Sequence, residues 1–135
     1  MTRHQLREQV FVLLFRADFY DQEGLEEQES LFAESLKDAS DEDRVYIRAK
    51  YHAILEKIGE IDTVINKSSD GWKTSRMGKA ELTILRLAVY EILYDEDIPI
   101  GVAINEAVEL SKRYGTEEAS SFVNGVLAKI AAEHS

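Results

Sequence analysis

The sequence predicts an all-α fold of about six or seven helices, and three observations support that class. One proline and seven glycines interrupt the 135 residues, and so few breaks favour long helices over a many-turned β fold. Apolar residues recur at spacings of three and four, which is the period of an amphipathic helix. The chain is 44% hydrophobic and 31% charged, so it can bury a core of its own and is not disordered overall.

The first helix is predicted from about Gln5 to Phe19, and it is apolar on two sides. One side carries Leu6, Val10, Leu13 and Ala17, and the opposite side carries an aromatic stripe of Phe11, Phe15 and Phe19. A helix with two apolar faces either lies between neighbours or leaves one face for a partner.

Two further helices are predicted before residue 70. A short, weakly apolar helix spans Leu25 to Leu36, and Ser40 followed by three acids is typical of a helix N-cap. After this cap, apolar residues alternate at spacings of four and three, which predicts one long helix ending near Asn66. These residues are Ile47, Tyr51, Ile54, Ile58, Ile61 and Ile65.

The run Ser68-Ser69-Asp70-Gly71 is the best candidate boundary, and it divides the chain into residues 1–69 and 70–135. Beyond it, Lys79 to Tyr94 is apolar almost all round and predicts a buried central helix. A helix from Ile100 to Tyr114 follows, and Thr116 caps the last helix. Within that last helix Gly125 is expected to permit close helix contact.

The charge and composition exclude several classes of protein. A net charge of −10 argues against a generic nucleic-acid binder, although Arg3, Arg7 and a stretch from Lys67 to Lys79 remain locally basic. Eleven carboxylates and one lysine lie between Asp18 and Asp43. The chain has no cysteine and no apolar run long enough to span a membrane. We therefore expect a cytoplasmic protein.

No enzyme class is indicated. The three histidines, His4, His52 and His134, lie in separate segments without metal-ligand spacing, and there is no phosphate loop, dinucleotide fingerprint or nucleophile elbow. The sequence predicts no catalytic residue, no cofactor and no metal.

One charged residue interrupts an apolar helix face. Arg86 lies among Leu82, Val89 and Leu93, and a buried guanidinium must be paired. Asn105 and Glu106 on the following helix are the expected partners in a structural polar link. A catalytic pair of Arg86 and Glu106 is the less favoured alternative.

Three ordered blocks between Trp72 and Leu127 resemble a known family. They are ILRLAVYE from Ile84 followed by Asp97-Ile98-Pro99, VAINEAVEL from Val102 with Lys112, Tyr114 and Gly115, and FVNGVL from Phe122. This set resembles the NusB transcription antitermination family. The Arg7-Glu8 pair and the helix pattern of the first 70 residues agree with it.

The resemblance implies an all-α fold of two small perpendicular helical bundles and a non-catalytic role. Members of the family pair with NusE, a small-subunit ribosomal protein, and bind single-stranded box A RNA in nascent ribosomal RNA transcripts. They act within an antitermination complex that keeps RNA polymerase processive.

The resemblance also implies site residues. The arginine-rich family N-terminus corresponds to Arg3, His4, Gln5 and Arg7, where two arginines are replaced, and Val12 stands where the family usually has glutamine. Phe122 matches the phenylalanine near the RNA surface, with Lys79 beside it. Phe15 and Glu81 match positions implicated in NusE docking.

Two other readings remain open at this stage. One alternative is a protein-binding scaffold, such as a homodimer that uses the Phe11, Phe15 and Phe19 stripe and binds no RNA. The chain could instead be the NusB-like RNA-binding domain that precedes the catalytic domain of some ribosomal RNA methyltransferases.

Overall fold

The computed structural model describes residues 1–20 and 22–134, and every regular element within those ranges is helical. The α-helices are α1 (Arg3–Ala17), α2 (Gln22–Ser35), α3 (Asp41–Glu56), α4 (Ile58–Ser68), α5 (Lys79–Tyr94), α6 (Ile100–Tyr114) and α7 (Glu117–His134). A short 3-10 helix, Thr74–Arg76, lies between α4 and α5. The predicted all-α class and helix number are confirmed.

The chain divides into two compact units, Met1–Leu55 and Glu56–Ser135. This division falls earlier than the boundary at residues 69 and 70 that the sequence predicts. The reason is that α4 packs against α5 and α7, so it belongs to the second unit. The Ser68–Gly71 segment is therefore a turn inside the second unit.

The break between α3 and α4 also differs from the prediction of one long helix. Lys57 has φ −103° and ψ 5°, which interrupts the helix at a single residue. The apolar seam is nevertheless correct, because Ile47, Ile54 and Ile61 are each at most 1% exposed. A one-residue break changes the apolar spacing too little for the sequence pattern to reveal it.

Two helices of the first unit, α1 and α3, begin at reciprocal side-chain caps. At α1, the Thr2 hydroxyl accepts from the Gln5 N–H at 3.1 Å while the Gln5 side chain accepts from the Thr2 N–H at 2.9 Å. At α3, Ser40 and Asp43 make the same exchange at 3.0 and 3.1 Å. The cap predicted at Ser40 is confirmed, and both pairs satisfy N–H groups that a helix leaves unpaired.

The second unit is built around α5, whose buried residues lie on all sides of the helix, as predicted. They are Leu82, Thr83, Ile84, Leu85, Leu87, Ala88, Val89 and Glu91. The helices α4, α6 and α7 all pack against α5. At the start of α7 the Thr116 hydroxyl accepts from the Ala119 N–H at 3.1 Å, which confirms that cap. Across the described chain, no helix combines the length and apolar character needed to cross a bilayer.

Candidate nucleic-acid interface

A partly exposed aromatic pair marks one surface of the second unit. Trp72 follows the turn after α4 and is 56% exposed, while Phe122 on α7 is half-buried. The ring centroids are 6.5 Å apart and the ring planes are inclined at 73°. Aromatic faces that remain accessible to solvent are the groups on which unstacked bases bind.

The turn that presents Trp72 is fixed at several points. Asp70 and Gly71 have φ of 49° and 89°, and the Trp72 N–H donates to the Ser69 carbonyl at 3.0 Å. The Ser69 hydroxyl donates to the Trp72 carbonyl. Lys129 on α7 donates to Asp70 at 2.9 Å, and this hydrogen bond raises the pKa of Lys129. The indole ring is therefore held beside α7.

Two cavities share Trp72 and Phe122 as lining residues. The first, of about 250 Å³, is also lined by Arg76, Met77, Glu81, Thr116, Glu118 and Ala119. The second, of about 350 Å³, is also lined by Ser68, Ser69, Asp70, Ser121, Gly125, Val126 and Lys129. The aromatic pair thus borders two concave surfaces of different charge.

Gly125 lies at the second cavity and does not permit close helix contact, contrary to the expectation from the sequence. A Cβ atom built on Gly125 meets no other atom within 4 Å. Gly125 therefore keeps space open at the cavity.

The cations named from the sequence differ in their exposure. Arg3 and His4 are exposed in the first turn of α1, and Lys79 is exposed in the first turn of α5. Arg7, however, is only 5% exposed. Its side chain therefore offers a phosphate almost no surface in this structure.

The sequence profile described as the NusB family matches residues 4–132. The chain belongs to the NusB family. Among curated relatives, the transcription antitermination protein NusB of Agathobacter rectalis is 53% identical over 131 residues, covering 97% of this chain and all of that protein. The NusB of Bacillus subtilis is 37% identical, covering 98% of this chain and 97% of that protein.

Solved NusB structures share this fold. NusB of T. maritima superposes with a TM-score of 0.86 at 36% identity, covering 99% of this chain and 93% of that chain. A structure of antitermination factors NusB and NusE in complex with dsRNA has a TM-score of 0.82 at 28% identity, covering 98% of this chain and 99% of that chain.

The two positions that the NusB resemblance assigns to NusE docking lie in different units. Glu81 lines the first cavity together with Phe122. A residue expected to bind NusE and a residue expected to bind RNA therefore border the same concave surface. Phe15 on α1 is half-buried and stacks on Phe19, with centroids 5.3 Å apart. Phe19 is 61% exposed but Phe11 is 2% exposed. The aromatic stripe is therefore core at one end and surface at the other.

Arg86 has a partner that the sequence did not suggest. Its Nε and Nη2 atoms donate to Asp62 Oδ1 and Oδ2 on α4, both at 2.8 Å. The predicted partner Asn105 is exposed, while Glu106 is half-buried. This ion pair joins α5 to the preceding helix α4, whereas the sequence predicts a link from α5 to α6.

Two contributors, Asp62 and Trp72, are absent from the residues that the sequence predicts for these contacts. Asp62 lies 24 residues before Arg86, beyond the reach of spacing arguments. The signal that could have identified Trp72 is its place as a lone tryptophan directly after the Ser-Ser-Asp-Gly turn, which can present a ring to solvent.

Proposed function

We propose that this chain is a non-catalytic transcription antitermination factor that pairs with NusE and binds single-stranded box A RNA. In this role it acts in the cytoplasm on nascent ribosomal RNA transcripts and keeps RNA polymerase processive. Near-full-length similarity to proteins named transcription antitermination protein NusB supports the role. The observation that carries RNA binding is the Trp72–Phe122 pair, an accessible aromatic surface on a chain of net charge −10.

The proposed RNA contacts are of two kinds. Phe122 stacks on an unpaired base, while Arg3, His4 and Lys79 contact phosphates. Arg7 is left out because it is buried. The proposed NusE contacts are Glu81 in the second unit and the half-buried Phe15 in the first.

The first cavity suggests why NusE and RNA bind together. Glu81 and Glu118 line it beside Phe122, with Arg76 as the cation that accompanies them. Two carboxylates near the stacking ring repel an approaching phosphate backbone. A basic partner docked on Glu81 neutralises part of this charge and adjoins RNA at Phe122. We therefore expect weak RNA binding by the free protein and tight binding by the pair.

The deciding experiment is a titration of fluorescent box A RNA with the protein alone and with NusE, followed by anisotropy. Scrambled single-stranded RNA and box A annealed into a duplex serve as controls. NusE should raise the affinity for single-stranded box A and steepen the log–log salt dependence by about 0.7 for each added phosphate contact. Equal affinity for box A and scrambled RNA, with and without NusE, would instead favour the protein-binding scaffold.

Variants separate the two kinds of RNA contact. Phe122→Ala should weaken binding by about 1–3 kcal/mol with little change in salt slope, whereas Lys79→Ala should flatten the slope by about one contact. Lys112→Ala is the matched control, because Lys112 is an exposed lysine on α6 outside both cavities. A folded Phe122→Ala variant with full affinity would remove Phe122 from the site.

The NusE contact is tested by charge reversal at Glu81. Glu81→Lys should weaken NusE binding measured by calorimetry while circular dichroism remains unchanged, because reversed interface charges repel a basic partner. Glu109→Lys on α6 makes the same change at an exposed glutamate away from the cavity. Equal loss in both variants would show a general charge effect and not docking at Glu81.

A further inference from the structure

Resting on the proposed function, we propose that the second cavity, between Trp72 and Ser68, is a pocket for one unstacked nucleobase. It would hold a base next to the one that stacks on Phe122. Its main elements are the indole ring of Trp72, the residue Ser68, the open space at Gly125 and the Asp70–Lys129 pair.

The aromatic walls suit a planar ligand. Trp72 and Phe122 meet at 73°, so a base lying flat on one ring meets the other ring at its edge. The indole of Trp72 is 56% exposed. The Trp72 backbone is fixed by its hydrogen bond to Ser69 and by the hydrogen bond from Lys129 to the nearby Asp70. A ring that is both exposed and held in place loses little freedom when a base stacks on it.

The Ser68 hydroxyl points independently to a polar ligand. Ser68 is 2% exposed, and within the described part of the chain its Oγ atom has no hydrogen-bond partner. A buried hydroxyl that lacks a partner is destabilising, and this one belongs to a residue that lines the cavity. A hydroxyl both donates and accepts, which matches the mixed donors and acceptors on the edge of a base.

The charges favour a base over a phosphate as the occupant. Asp70 is exposed at the cavity and accepts from Lys129 at 2.9 Å. Lys129, the cation among the described residues that line this cavity, is therefore already paired with a carboxylate. A phosphate would meet the Asp70 charge, whereas a base amino group can donate to it. The occupant is therefore the base and not the backbone.

Gly125 supplies the space that the base needs. A Cβ atom there meets nothing within 4 Å, so a larger side chain can be accommodated only by extending into the cavity or solvent. A leucine at this position takes up space at the cavity that Gly125 lines and removes no group that binds RNA.

The experiment uses Trp72 as its own reporter, because it is the only tryptophan in the chain. The protein–NusE complex is titrated with single-stranded box A RNA while tryptophan emission and RNA anisotropy are recorded, with NusE and RNA alone as the blank. Stacking on the indole should quench the emission in step with binding. Gly125→Leu should abolish the quenching and weaken binding about tenfold, and Ser68→Ala should weaken it about three- to tenfold.

Gly101→Leu is the matched control, because Gly101 is a helical glycine on α6 whose added Cβ also meets nothing within 4 Å. It should bind and quench like the parent protein. Trp72→Phe, which removes the reporter and keeps an aromatic ring, should retain most of the affinity, whereas Trp72→Ala should lose it. Thermal melts verify that each variant is folded.

The outcomes distinguish the pocket from the proposed function. If the parent complex fails to bind box A, both the proposed function and the proposed nucleobase pocket are wrong. If the parent complex binds box A but Trp72 emission is unchanged, and Gly125→Leu and Ser68→Ala bind normally, the pocket is wrong and the proposed function stands.

Discussion

The ion pair between Arg86 and Asp62 gives the sharpest test of how the second unit is held together. Both guanidinium nitrogens that face Asp62 donate at 2.8 Å, and the two side chains are 16% and 25% exposed. Fully exposed pairs contribute below about 1 kcal/mol, whereas removing one partner of a fully buried pair costs about 3–5 kcal/mol. For a pair that is mostly but not fully buried, we expect Arg86→Met to lower the free energy of unfolding by about 2–3 kcal/mol.

The assay is urea unfolding followed by circular dichroism and by Trp72 emission, which reports on the same unit. Lys112→Met is the control, since Lys112 and Glu109 form an exposed pair at 3.5 Å and its loss should change stability by less than about 0.5 kcal/mol. Adding Asp62→Leu to Arg86→Met should recover part of the loss, because the carboxylate is no longer left unpaired. Equal stability of the Arg86→Met and Lys112→Met variants would refute this reasoning.

Three smaller predictions concern single positions. Ser40→Ala removes the hydroxyl cap of α3 and should lower the free energy of unfolding by about 1 kcal/mol in thermal melts. The Ser40 N–H and the N-terminal ammonium lower the pKa of Asp43. The contribution of Asp43 to the free energy of unfolding is therefore complete above the unfolded pKa of about 3.9 and is lost as pH falls through the folded pKa. Asp43→Asn should accordingly flatten the acid limb of a stability–pH profile. Gly115→Ala should lower the free energy of unfolding by about 1–3 kcal/mol, because the added Cβ would lie 3.0 Å from the Ser111 carbonyl. Gly125→Ala should instead stabilise α7 by up to about 1 kcal/mol. Equal melting temperatures for these two variants would contradict the prediction.

Helix positions were predictable because local spacing and caps determine them. The bounds Lys79–Tyr94 and Ile100–Tyr114 were predicted as the structure has them, since each helix has a continuous apolar face and a clear stop. The break at Lys57 was missed because the apolar seam continues across it. A spacing argument detects which side of a helix is buried, but not a single residue that leaves the helical conformation.

The site was predictable only in part, since long-range partners leave no local pattern. Phe122 was named from the resemblance, yet Trp72 lies 50 positions earlier and reaches it only through the fold. The burial of Arg7 was missed for the same reason, because an arginine near a chain start is usually solvated and nothing nearby in the sequence indicates otherwise. The partners and the burial of individual functional side chains thus become visible only in the three-dimensional structure, even where the family is evident.

The succession of α5, α6 and α7, each packed on the others, has a consequence for how quickly the second unit forms. Only residues 95–99 separate α5 from α6, and only Gly115 and Thr116 separate α6 from α7. Closing such short connections requires little loss of chain entropy, and structures dominated by sequence-local contacts fold in microseconds to milliseconds. The slower step should be the docking of α4, because its contact with α7 closes the longest stretch of chain in the unit. Rapid-mixing measurements of the emission of Trp72, which follows the turn after α4, would report on that step.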